Sequence, residues 1–234
     1  MDSWLEWARG PLFRFALAVM LLGLLRLVVL NVLGLVSLTR RARDKRIPTR
    51  VVLRETARWL FPFNRVPKHQ LVFTLVSVVF DICVIVVPIL LGAHIMLWQR
   101  GFGVGWVALH QGWADALTVV AIVTAIVLFA RRVSTPLTRS LSRAQDYVLP
   151  LLIASSFVTG FLAMHPALNP FSYDPTMLVH VLNSNLILIA IPFSKLSHMV
   201  LFPITQLVSE LGWHLAPSGG QDVAFALGKE GEPV

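Results

Sequence analysis

The sequence predicts an all-α membrane protein, a five-transmembrane-helix bundle with its N-terminus outside and its C-terminus cytoplasmic. Three observations carry that prediction. The 234 residues are 56% hydrophobic and only 14% charged. A soluble domain carries about 25% charged residues, so lipid is the fitting solvent. Five predominantly apolar runs, about 12–38, 71–98, 114–130, 147–164 and 178–201, reach or approach the roughly 20 residues that cross a bilayer core as a helix. They are too long, and alternate too little, for membrane strands. The basic residues are unevenly shared among the loops. Arg40, Arg41, Arg43, Lys45, Arg46, Arg50, Arg54, Arg58, Arg65 and Lys68 lie between the first two runs, and Arg131, Arg132, Arg139 and Arg143 between the third and fourth. The other two loops hold only Arg100. This positive-inside asymmetry puts both basic loops in the cytoplasm of a bacterial or archaeal cell. The net charge of +8 follows the membrane topology. A nucleic-acid partner is not expected, since that would require a basic face interleaved with exposed aromatics.

The first run is too long for a signal-peptide core and ends without a small-residue cleavage site, so it reads as a mature helix. Its Arg14 and Arg26 are expected to snorkel or to face the bundle interior. In the basic loop 39–70, TRVVLRETARWLFPFN reads as an amphipathic helix at the interface, anchored by Trp59, or as a docking surface for a cytoplasmic partner. The second run travels outward and carries Cys83 in its middle and His94 in its outer part. One cysteine offers no disulfide framework, zinc cluster or iron–sulfur ligand set, and no CxxCH occurs for covalent haem. His110 precedes the third run and His165 follows the fourth, while His69 and His214 fall in cytoplasmic or interfacial segments. Trp98, Trp106 and Trp113 read as an aromatic belt at the outer boundary. Residues 1–214 thus form one membrane domain. Residues 215–234 form a polar, Gly- and Pro-containing tail, expected to be extended or ordered by a partner.

The fifth run, VHVLNSNLILIAIPFSKLSHMV, places His180 and His198 18 residues apart. In one continuous helix that is five turns, about 27 Å, on one face, with Pro192 between them as a possible kink. Topology puts His180 near the outer face with His94 and leaves His198 near the inner face. Two imidazoles from different helices at matching depth are what a low-spin b-type haem requires on the two sides of its plane. Zinc would need a third or fourth ligand at that depth, and none is visible. Gly92 and Ala93 before His94 leave space beside the helix for a planar guest, although small-residue helix packing explains them equally. The rival reading is a haem-free membrane anchor or transporter component, with Asp81, Asn183 and Asn185 lining a polar path.

The opening WARGPLFRFALAV, the GAH at the outer end of the second helix, and the H-x17-H of the fifth with its PFSKLSH ending resemble the gamma subunit of respiratory nitrate reductase. That family includes the cytochrome b subunits associated with sulfite reduction and with heterodisulfide-reductase-like complexes. The resemblance covers most of residues 8–205. It implies a membrane cytochrome b subunit, with haem b as cofactor, that moves electrons between menaquinone or ubiquinone and a cytoplasmic iron–sulfur or molybdenum-containing partner. A periplasmic cytochrome is a further conceivable partner. By resemblance, His94 and His180 match the outer haem's ligands and His198 one ligand of an inner haem. The family's remaining ligand falls at Val84, so the inner site is absent, ligated differently (Cys83 is near that face), or five-coordinate through His198. His110, Gln111 and Asp115 occupy the region where a quinone would be bound and its proton received.

Overall fold

The computed structural model describes residues 2–42, 49–60, 68–215, 219–226, 228 and 230; the side chains of Trp59, His69 and His214 lie outside the described set, as do Arg43, Lys45, Arg46 and Arg65 of the basic loop. Every regular element among the described residues is helical. In order these are α1 (Asp2–Trp7), a π-helical turn (Ala8–Leu12), α2 (Phe13–Ala42), α3 (Thr49–Leu60), α4 (Lys68–Leu90), α5 (Gly92–Phe102), α6 (Gln111–Ser134) and α7 (Pro136–Leu141). They continue with α8 (Ala144–Met164), α9 (Tyr173–Ala190), a 3-10 turn (Ile191–Phe193), α10 (Ser197–Leu215) and α11 (Gly219–Ala226). Five stretches are long and apolar enough to cross a membrane: Ser3–Arg40, Gln70–Leu90, Gln111–Ser134, Ala144–Met164 and Tyr173–Gly212. The protein is a multi-pass membrane protein, as the composition requires.

The chain divides into two compact units, Met1–Leu21 with Val66–Lys195, and Leu22–Arg65 with Leu196–Val234. In the first, α6 packs between α4 and α8, and α9 packs between α8 and the N-terminal π turn. The sequence of α6 explains its place. Ala114, Thr118, Ala121 and Ala125 recur at helical spacing and are all buried, so a stripe of small side chains lets neighbouring backbones approach closely. Polar side chains tie α8 to α9. Ser156 Oγ and Ser184 Oγ are 2.7 Å apart, and Asn183 Nδ2 donates to Leu152 O (2.9 Å) and Ser155 Oγ (2.7 Å). Asn185 is buried and donates to Ala8 O at 3.0 Å, fixing the π turn on α9.

In the second unit α3 forms the amphipathic helix expected from TRVVLRETARWL and packs against α10. Its Val52 and Thr56, one turn apart, are buried. Short helix α11 also packs on α10, with Ala224 buried.

Two of the expected helices are broken. The 71–98 run is two helices, α4 and α5, because Leu91 adopts an extended conformation (φ −71°, ψ 126°) three residues after Pro88. The 178–201 run is α9, a 3-10 turn and the start of α10. Pro192 has no N–H to continue the ladder, and Ser194 is extended (ψ 178°). Lys195 then pins the turn: its Nζ donates to both oxygens of the buried Asp146 (2.7 and 2.6 Å), and its backbone N–H donates to Gln145 Oε1 (3.2 Å). The alignment of His180 and His198 on one helical face therefore does not hold, since the helix between them is not continuous.

Candidate haem site

The break at Leu91 sets the orientation of His94. In an unbroken helix the carbonyls of Pro88, Ile89 and Leu90 would accept from the N–H groups four residues on. The extended Leu91 removes those donors, and buried carbonyls need replacements. Each finds one. Pro88 O accepts from His94 Nδ1 (3.0 Å), Ile89 O from Trp106 Nε1 (2.8 Å), and Leu90 O from Leu109 N (2.8 Å). The returning segment is made possible by Gly103, which ends α5 in the left-handed region (φ 72°) with its N–H on Gln99 O. Trp98 and Trp106 pack on each other, and Trp98 also packs on Phe13 and Phe102.

His180 comes from α9 and donates from Nδ1 to Ser156 O of α8 at 2.9 Å. The ring lies against Gly160, one turn farther along α8. A Cβ there would stand 2.8 Å from Cε1 and 3.0 Å from Nδ1. Gly160 was not singled out in the sequence, because a lone glycine in an apolar helix carries no motif. Gly92, taken as the space-making residue, would bring a Cβ only to ordinary contact with Ala108 (3.7 Å).

The two imidazoles face each other with ring centroids 6.1 Å apart and planes 10° from parallel. A carbonyl oxygen can only accept, so both Nδ1 atoms carry the proton, and in a neutral ring each Nε2 keeps its lone pair. Metal-bound histidines are held in this way, the non-ligating N–H on a backbone carbonyl. With both Nε2 atoms turned to one metal at about 2.0 Å, two imidazoles would stand at about this centroid spacing. The pair suits a metal already held in its equatorial plane, as in haem. Among the described residues there is no group of three or more His, Cys, Asp or Glu that could hold a bare ion.

The other expected residues divide. Gln111 Nε2 donates to Asp115 Oδ1 (2.8 Å), and Asp115 Oδ2 is 3.3 Å from His165 Nε2, while His165 Nδ1 donates to Phe161 O (2.9 Å). This trio lies at the same end of the first unit as His94 and His180, and His165 had not been grouped with it. The signal was there in outline, since α6 begins and α8 ends at that face. His110 is exposed and caps α6, its Nδ1 accepting from Gly112 N (3.2 Å). His198 belongs to α10 in the second unit. Cys83 is buried in α4 of the first unit.

No protein-family model matches the chain, and no solved structure matches it. A protein of Nitratidesulfovibrio vulgaris is 34% identical over 197 residues, spanning 82% of this chain and 86% of that one; its name, "Protein", states no activity. At that identity and coverage, this membrane chain belongs to the same family as the Nitratidesulfovibrio vulgaris protein.

Proposed function

We propose that the protein is a membrane cytochrome b subunit of a respiratory redox complex, transferring electrons between a quinone pool and a partner iron–sulfur or molybdenum-containing subunit. One observation carries the reading: His94 and His180 are near-parallel at 6.1 Å, each anchored through Nδ1 to a backbone carbonyl. A bound haem b would supply one-electron redox chemistry there. The chain's part is to present two Nε2 lone pairs from rigid helices and to surround them with apolar side chains that exclude water.

The reading assigns a haem to His94 and His180 of the first unit, while His198 lies in the second. The basic loops orient the bundle with the N-terminus outside, the C-terminus inside, and the histidine pair near the outer face of a cytoplasmic membrane. Menaquinone or ubiquinone would react at that face. Gln111, Asp115 and His165 offer a carboxylate and an imidazole between which a proton can pass. His110 retains Nε2 for a quinone oxygen or solvent. The cytoplasmic partner would dock on the basic loops. A transporter path is less well supported, since Asn183 and Asn185 are engaged in interhelical hydrogen bonds.

A reduced-minus-oxidised spectrum of the purified protein tests the reading. A b-type α band is expected, and His94→Ala and His180→Ala should each remove the same component. Absence of the band, with no haem extracted by pyridine, defeats the proposal.

A further inference from the structure

A cation outside the ligand pair stands beside it. Arg9 lies in the π-helical turn, and such turns recur at functional sites. Its place is fixed on both sides. The preceding carbonyl, Ala8 O, accepts from Asn185 of α9, and Arg9 Nη2 donates to the Tyr173 hydroxyl at 3.1 Å. Tyr173 opens α9, and His180 follows seven residues later, about two turns along the same helix. Among the described residues, no carboxylate forms an ion pair with Arg9.

Arg9 and Tyr173 form an exposed pair at the end of the bundle, where the planar fork of the guanidinium suits a carboxylate. The ligand pair predicts where one would come from. Haem b carries two propionate groups on one edge of its ring. Burying a carboxylate in hydrocarbon is costly, so that edge of a bound haem would face the polar end of the site. Arg9 and Tyr173 are at that end.

We infer that Arg9, oriented by Tyr173, is the carboxylate-binding residue of the site, pairing with a propionate of the porphyrin ligated by His94 and His180. The inference rests on the haem reading above. It adds a specificity: the site selects a free-acid porphyrin and discriminates against an esterified one.

The test uses the full-length apo-protein in detergent, titrated with haem b and with its dimethyl ester. Wild type should bind the free acid about tenfold more tightly, the scale of one charge-assisted bidentate pair. Arg9→Gln should bring the two to within about twofold while keeping the six-coordinate spectrum, and Arg9→Lys should restore part of the preference. Equal binding by wild type overturns the inference and leaves the cytochrome reading standing. So does a preference unchanged in Arg9→Gln. If wild type takes up neither porphyrin with a bis-histidine spectrum, the cytochrome reading itself fails. Should Arg9→Gln not accumulate, Tyr173→Phe carries the test through a smaller loss of preference, and an unchanged preference again overturns the inference.

Discussion

Gly160 approaches His180 so closely that an added Cβ would overlap the ring, at 2.8 Å from Cε1. Real Cβ contacts do not come so near, so Gly160→Ala must displace the imidazole or the α8 backbone. The ring would then lose the Ser156 carbonyl that fixes its tautomer. We expect Gly160→Ala to convert a six-coordinate haem spectrum to a five-coordinate one, or to lower haem content several-fold, with helical circular dichroism unchanged. Gly92→Ala is the matched control, since its Cβ meets Ala108 at 3.7 Å, and it should bind haem as wild type does. If the two variants behave alike, the close approach at Gly160 does not govern the ligand. At this scale the sequence was half legible. The paired histidines could be read from depth, whereas the glycine that seats one of them could not, because its requirement arises only once α8 and α9 are packed.

Among the elements, the turn between α9 and α10 depends on one buried carboxylate. Asp146 accepts from Lys195 Nζ and the Arg143 N–H (2.9 Å), with Arg132 Nη1 at 3.5 Å. Arg132 also donates to the Asp146 carbonyl at 2.7 Å. Removing the carboxylate strands two cations near each other, while removing Lys195 leaves Asp146 its other partners. Asp146→Ala should therefore destabilise by roughly 1–2 kcal/mol, since its cationic partners are partly exposed, and Lys195→Met by less. Thermal unfolding in detergent orders the two, and equal losses would mean that Lys195 is the essential partner. Pro192 announced the second helix break in the sequence, whereas the first, three residues after Pro88, fell inside a run read as one helix. Their geometry was not readable, because it depends on donors from distant segments: Trp106 and Leu109 for the first, and for the second Lys195, held on Asp146 and Gln145 of α8.

For the molecule as a whole, the apolar runs made the five spans legible, since length and hydropathy alone decide them. The division into two units was not, because it depends on which helices pair. The proposed placement of ligands yields two whole-molecule expectations. Pyridine haemochrome analysis against amino-acid analysis should return at least one haem per chain, and a value well below one would remove the assigned ligand pair. A fluorescent-protein fusion at the C-terminus should be bright in cells and an alkaline phosphatase fusion there inactive, as a cytoplasmic end demands. The reverse pattern would invert the assigned topology.

The break at Leu91 also has an evolutionary consequence. Between Pro88 and His94 each freed carbonyl has its own partner, so the segment has no spare length. One inserted residue would swing His94 by about 100° around the α5 axis and carry it away from His180. Relatives that keep the site should thus show no insertions or deletions between the positions of Pro88 and His94.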